Sequence, residues 1–245
     1  MKIWSRKEVN ENINHAKSEY FKNGYIIIKN ILDNNFIDEL NKSTGEIKGR
    51  IRDLWKTNKY VKDVAANKVM MHILKNLYND KPLPFHTISF TYGTSQSIHS
   101  DLMHFSPSED NLNAMCGVWY ALEDISEDCG PLEFYEYSHR EKPILDLTKF
   151  GSYDKYTQHI INLMKEKKYK RKLATIPKGS VIIWTSNLVH GGYPVKNKKL
   201  TRKSMVTHYF FDSSKYFWRP RESTPEKKVL RFDVRPSCSQ ILSKN

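Results

Sequence analysis

Residues 179–192 read Gly179-Ser180-Val181-Ile182-Ile183-Trp184-Thr185-Ser186-Asn187-Leu188-Val189-His190-Gly191-Gly192. A β-branched and aromatic run opened by glycine and closed by short polar residues is the pattern of a buried strand. Working outward, similar short runs occur at His86–Tyr92, Gly117–Leu122, Leu132–Tyr135 and Ser204–Phe211, punctuated by Gly93, Gly130-Pro131 and Gly191-Gly192. Many short strands between turn residues predict a β-sandwich or barrel. Ahead of them the chain reads as mostly helical. One helix is expected over Val9–Tyr20. A second is capped by Asp33 and carries Phe36, Ile37 and Leu40 on one face. A third spans Val61–Tyr78 and is stopped by Pro82 and Pro84. Tyr25–Ile28 reads as a short strand among these helices. Tyr153–Tyr169 has helical spacing and reads as an insertion between strands, and the tail from Ser237 to Asn245 is expected to fray. The expected organisation is a single domain over 1–245. It has a mainly helical layer at 1–82, a β core at 83–212 with an insertion at about 140–175, and a C-terminal extension at 213–245.

Composition sets the outer bounds. The chain has 245 residues, 39% hydrophobic and 12% aromatic, which excludes a disordered polymer. No apolar run approaches ~18 residues, so no transmembrane helix is expected. Met1–Asn14 lacks the apolar core of a secretion signal. Cys116, Cys129 and Cys238 form no C-x-x-C pair, so a reducing, cytoplasmic location is expected. The net charge of +13 is uneven: residues 1–140 hold 17 Lys+Arg against 19 Asp+Glu, and residues 141–245 hold 23 against 8. The basic half points to an anionic partner, such as a phosphorylated or carboxylated small molecule, a nucleic acid or an acidic surface. A solvated lysine-rich face accounts for the same charge. Nucleic acid is disfavoured, because no interleaved aromatic and basic stack, zinc knuckle or helix-turn-helix pattern is present.

The chemistry centres on His99-Ser100-Asp101. On a strand, residues i and i+2 share a face, so an imidazole and a carboxylate would project together. With His190 they make two histidines and one carboxylate. That set holds a non-heme iron on one side and leaves positions for a bidentate cosubstrate and O2. H-x-D alone is weak among nine histidines and 27 acids. Arg202 strengthens it. If it lies on the strand after His190, its guanidinium stands beside the metal and can grip a carboxylate bidentately, as the distal end of 2-oxoglutarate requires. Ser204, two residues on, would point the same way. Arg202 also sits in the basic run Lys196, Lys198, Lys199, Lys203, so only its spacing from His190 sets it apart.

Taken together, these pieces resemble the phytanoyl-CoA dioxygenase family of Fe(II)/2-oxoglutarate oxygenases, from about Tyr20 to Phe211. The matching pieces are Phe21-x-x-Gly24-Tyr25-Ile26-Ile27-Ile28, Gly93 ahead of His99-x-Asp101, Gly117-Val118-Trp119-Tyr120-Ala121-Leu122-Glu123-Asp124, Asp128-Cys129-Gly130-Pro131-Leu132 with Ser138-His139, and Gly179 to Gly192 with Arg202. The resemblance implies a double-stranded β-helix (a jelly-roll, cupin-like core) with N-terminal helices packed outside and a helical insertion. It implies Fe(II) bound by His99, Asp101 and His190, with 2-oxoglutarate held by Arg202 and O2 as the oxidant. Trp119 falls near the cosubstrate, and Thr87 and Ser89 are expected to face it. Gln96 and His104 flank the metal motif as candidates to meet substrate. His139 and His208 are expected to pack in a turn and in the core. Glu136-Tyr137 stands where the family usually has Pro-Gly. Segments 102–114 and 140–172 are expected to cover the site. The activity implied is hydroxylation of an unactivated C–H bond in a small anionic metabolite, a sugar, natural-product or acyl derivative. Asp101 argues against halogenation, because related aliphatic halogenases lack this carboxylate. A nucleic-acid-acting oxygenase or binding module, and a non-catalytic jelly-roll, are the competing readings.

Overall fold

In the computed structural model, which describes residues 1–107, 113–144, 148–213, 216–218, 231–233 and 235–243, caps decide the helical layer. After β1 (Ile3–Ser5), Ser5 opens α1 (Arg6–Glu11) with a reciprocal cap. Ser5 Oγ accepts from Glu8 N at 3.1 Å, and Glu8 Oε2 accepts from Ser5 N at 2.6 Å. Asn12 leaves helical geometry and α2 (Ile13–Asn23) follows, so the helix expected over Val9–Tyr20 is two helices. β2 (Tyr25–Lys29) is the expected strand. Asp33 caps α3 (Asn34–Thr44) by accepting from Asn35 N and Phe36 N, with Ile37 and Leu40 buried. β3 (Ile51–Arg52) then precedes α4 (Lys59–Ala65) and α5 (Lys68–Tyr78). The helix expected over Val61–Tyr78 is split because Asn67 Oδ1 accepts from Met70 N at 3.0 Å and starts a new helix. Asn79, at φ 54°, ends α5. Pro82 and Pro84 do not stop a helix; they lie in β4 (Pro82–Phe90), along a stretch paired with one neighbour only.

The remaining elements are β5 (Ser106–Pro107), β6 (Met115–Ala121), β7 (Leu132–Tyr135), α6 (Tyr153–Glu166), β8 (Arg171–Leu173), β9 (Val181–Thr185), β10 (His190–Gly192), β11 (Ser204–Phe211), β12 (Tyr216–Trp218), β13 (Arg231–Asp233) and α7 (Arg235–Leu242). The tail does not fray at Ser237: α7 packs on β4, burying Cys238 and Ile241. Asn245 lies outside the described residues.

A seven-stranded sheet has the order β1-β2-β9-β6-β11-β4-β3, and a three-stranded sheet the order β10-β7-β8. β13-β12-β5 form a third. The large sheet is antiparallel except for β1 with β2. Its two faces follow the period-two alternation of side chains. Val118 and Tyr120 of β6, Val181 and Ile183 of β9, and Met205 and Tyr209 of β11 pack against Tyr20, Ile37, Leu40, Val61, Leu74 and Leu77 of the helices. Each fully buried aliphatic side chain there contributes about 1.5–3 kcal/mol. Trp119, Ala121, Ile182, Trp184 and Val206 turn the other way, toward Leu132 and Phe134 of the small sheet. The site opens between the two sheets, on that second face.

Candidate metal centre and its cavity

His190 is placed by a turn and a bridge. Leu188 N donates to Thr185 O at 2.9 Å, closing the turn after β9. β10 then pairs His190 with Phe134 of β7 on one side and with His99 on the other. His99 N donates to His190 O at 2.8 Å, and His190 N donates to His99 O at 2.9 Å, which sets the two rings side by side with centroids 4.6 Å apart. Gly191 is needed at this crossing, because a Cβ there would lie 2.8 Å from the Gln96 carbonyl oxygen.

Asp101 arrives differently from the sequence expectation. His99-Ser100-Asp101 is not a strand: Asp101 begins a 3-10 turn, Asp101–Met103, capped by Ser100 Oγ accepting from Leu102 N at 3.3 Å. Ser100 N donates to Tyr156 OH at 3.1 Å. Ile98, Met103 and Val189 pack on Tyr156, Ile160 and Met164 of α6, so that helix braces the turn.

The donor atoms converge. His99 Nδ1 lies 2.9 Å from Ser97 O, and His190 Nδ1 lies 2.9 Å from Leu188 O. A carbonyl only accepts, so each Nδ1 carries a proton, and each Nε2 is the ring nitrogen left to act as a ligand atom. Both Nε2 atoms face Asp101 Oδ1, at 4.0 and 3.7 Å. The three ligand atoms lie within 4.8 Å of one another, and all three residues are buried. Burial alone would raise the Asp101 carboxyl, but the surrounding His190, His208 and His99 outweigh it and hold it well below the usual carboxylate range. Burial, then the neighbouring His190 and His104, push His99 down to about 3. Three ligand atoms converging on one point, from two imidazoles and a carboxylate, are a set that a divalent cation completes.

A cavity of about 890 Å³ opens from this centre, and Arg202 lies on its wall. Arg202 is not on a strand: it precedes β11, and its N donates to Thr91 O at 2.6 Å. Arg202 is 3% exposed, and its guanidinium rests over Phe90 and Trp119, 5.2 and 5.6 Å from the ring centroids. Nη2 donates to Tyr92 O at 3.4 Å, and Nε has no hydrogen-bond partner. Among the described residues no carboxylate pairs with it. Burial lowers it to about 10, so it stays cationic near neutral pH. A buried, unpaired guanidinium is costly, and a ligand carboxylate is the group that would offset it.

The other expected residues divide. Trp119, Gln96 and His104 line the cavity. Gln96 Nε2 is 3.4 Å from His99 Nε2, and the His104 ring is 5.3 Å from that of His99. Ser204 is buried, but its hydroxyl donates to Arg202 O at 3.1 Å and does not reach the cavity wall. Thr87 and Ser89 do not face the cavity either; His86, Ile88 and Phe90, the alternate residues of β4, do. His139 serves a turn, with Nε2 2.9 Å from Phe21 O. His208 is not simply core. It lines the cavity, with Nε2 3.6 Å from Asp101 Oδ2 and Nδ1 3.2 Å from His86 Nδ1. Sequence reasoning missed His86, Trp184, Arg50 and Arg52, all on the wall. The parity of Val206 and Phe90 on their strands is the signal that finds both histidines. Of the basic half, Arg202 is the one Lys or Arg among the described lining residues, whereas Lys165, Lys167, Lys168 and Lys170 are exposed.

A family model described as Phytanoyl-CoA dioxygenase (PhyH) matches residues 46–204. No curated protein matches the chain in sequence. Solved structures with a similar fold include three at low identity. The epimerase SnoN from nogalamycin biosynthesis, in complex with Fe3+, alpha ketoglutarate and nogalamycin RO, is 15% identical over 92% of this chain and 95% of its own, with a TM-score of 0.66. The carbocyclase SnoK from nogalamycin biosynthesis is 16% identical over 91% and 96%, with a TM-score of 0.67. EctD from S. alaskensis, with 2-oxoglutarate and 5-hydroxyectoine, is 14% identical over 90% and 86%, with a TM-score of 0.66.

Proposed function

The chain belongs to the phytanoyl-CoA dioxygenase family of Fe(II)- and 2-oxoglutarate-dependent enzymes, and from that premise we propose that it hydroxylates an unactivated C–H bond of a small anionic metabolite. The observation that carries this reading is the pairing, in one cavity, of the converged His99, Asp101 and His190 with the buried Arg202, which has no carboxylate partner among the described residues.

In this reading His99, His190 and Asp101 would hold the iron, and Arg202 would hold the distal carboxylate of 2-oxoglutarate. Bound iron with 2-oxoglutarate and O2 supplies the oxidising power that breaks the C–H bond. The chain's own residues bind, orient and exclude water. Trp119 and Phe90 flank the Arg202 guanidinium and fix its plane. The Nδ1 bonds to Ser97 and Leu188 carbonyls keep both imidazoles turned inward. Arg50 and Arg52, on the segment around β3, supply positive charge at the cavity wall. With Arg202, they are the cations among the described lining residues placed to draw an anionic substrate. The retained carboxylate of Asp101 favours hydroxylation over halogenation. The large and small sheets facing each other across Trp119, Val206, Leu132 and Phe134 support a double-stranded β-helix. We read the whole chain as one such domain. No helix among the described residues is long and apolar enough to cross a membrane, and the three free cysteines favour a reducing, cytoplasmic setting.

The test is 2-oxoglutarate turnover to succinate in the presence of Fe(II), O2 and a panel of carboxylated, phosphorylated and neutral small molecules. Stimulation by anionic members, weakening as salt rises, is expected. Stimulation by neutral members alone, or none that salt affects, overturns the anionic assignment.

A further inference from the structure

The outer oxygen of Asp101 is held by groups that the iron site itself does not require. Trp184 Nε1 donates to Asp101 Oδ2 at 2.7 Å, and His208 Nε2 stands 3.6 Å from the same oxygen. These two side chains come from different strands, and the register shows how they meet. β9 pairs Trp184 with Gly117 of β6, and β11 pairs His208 with the same Gly117. Gly117 therefore lies between them on one face of the sheet. It has no side chain there for a reason: a Cβ would overlap Cε2 and Cζ2 of the Trp184 indole. The missing side chain lets the indole lie across β6 and reach the carboxylate.

We propose that Trp184 and His208 clamp Asp101 Oδ2 across Gly117, so that Asp101 offers the metal one oxygen, Oδ1, in a fixed direction. This rests on the metal reading above. An indole N–H on a buried carboxylate is a charge-assisted bond, and Trp184 is a positioning residue that acts through Asp101. His208 completes the clamp from the other side as a longer, electrostatic contact. With His208 Nε2–H turned to the carboxylate, its Nδ1 accepts from His86 Nδ1–H, 3.2 Å away, so His86 sets the His208 ring. The clamp leaves Oδ1 facing the two imidazole Nε2 atoms. Without it, the carboxylate is free to rotate about its Cβ–Cγ bond and to present either or both oxygens.

The experiment is anaerobic titration of the full-length protein with Fe(II), and separately with Co(II) for its visible d–d bands, in wild type, Asp101→Ala, Trp184→Phe, His208→Gln and Gly117→Ala. Wild type is expected to bind both metals and Asp101→Ala to lose them. Trp184→Phe is expected to weaken binding about 10–100-fold, the range for removing a partner of a metal ligand, and to change the shape of the Co(II) bands. Gly117→Ala, which displaces the indole, is expected to act in the same direction, and His208→Gln more weakly. A purely structural role for Trp184 would lower the melting temperature while leaving the Co(II) bands unchanged. Folded Trp184→Phe with wild-type affinity and bands overturns the clamp alone. If that variant does not fold, unchanged bands and affinity in both Gly117→Ala and His208→Gln overturn it. Wild-type protein that binds neither metal overturns the metal reading and the clamp with it.

Discussion

Along β6, Val118 and Tyr120 turn toward the helices, while Gly117 and Trp119 turn toward the cavity. The same division runs through β11, where Met205 and Tyr209 meet the helices and Val206 and His208 meet the cavity. On the helix side the side chains are mainly apolar and the tyrosine hydroxyls are hydrogen-bonded, so burial is favourable in itself. On the cavity side the sheet and the turns beside it bury His208, Asp101 among imidazoles, and Arg202, which no carboxylate of the described residues pairs with. Those groups are costly to bury. The first face supplies the stability that the second draws on.

Breaking the two faces should therefore give opposite signatures. The largest effect is expected from Asp101→Ala, which should weaken Fe(II) binding by ~100-fold or more through loss of a ligand, at the upper end of what even a supporting residue costs, while circular dichroism stays that of folded protein. Leu74→Ala, on the helix side and fully buried, should lower unfolding free energy by about 2–5 kcal/mol in denaturant titration. Its metal affinity, measured well below the unfolding transition, should match wild type. Arg202→Met sharpens the contrast. Apoprotein stability should hold or rise, by up to about 4 kcal/mol, while calorimetry shows 2-oxoglutarate binding strongly weakened. A drop in stability without loss of 2-oxoglutarate would contradict the division.

The smallest effect concerns the turn at His139. Burial pushes this ring below the ordinary histidine value, against the opposing bond to the Phe21 carbonyl. The ring is neutral when folded, whereas the unfolded chain takes up its proton as pH falls through about 6.5. The stability it contributes is thus present above that pH and lost below it. The melting temperature of wild type should fall more between pH 7.5 and 5.5 than that of His139→Gln.

The same division explains what could be read from the sequence. The strands at Tyr25–Ile28, Leu132–Tyr135 and Ser204–Phe211 were legible because their β-branched and aromatic runs are short and bounded. Their facing was not. Along β4 both faces are covered, so polar and apolar residues do not sort by side, and polarity pointed to Thr87 and Ser89 where the cavity takes His86, Ile88 and Phe90. His208 was hidden in the same way. The helix breaks at Asn12 and Asn67 were masked by apolar spacing that continues through them; the asparagines themselves were the signal. His99, Asp101 and His190 were legible as a set, yet the geometry joining them is a bridge and a 3-10 turn, where period-two reasoning does not apply. Arg202 lines the cavity, as its spacing from His190 suggested, but from the loop before β11 and not from a strand, and its burial was not legible because burial is a tertiary property.

The central claim is that one cavity holds both an iron site and a carboxylate clamp. It is tested most directly by anaerobic addition of Fe(II) and then 2-oxoglutarate to the apoprotein, following visible absorbance. Wild type is expected to develop a metal-to-ligand charge-transfer band, absent in Asp101→Ala and recovered in Arg202→Met only at much higher 2-oxoglutarate. Folded wild-type protein that binds Fe(II) but develops no band with 2-oxoglutarate would contradict it.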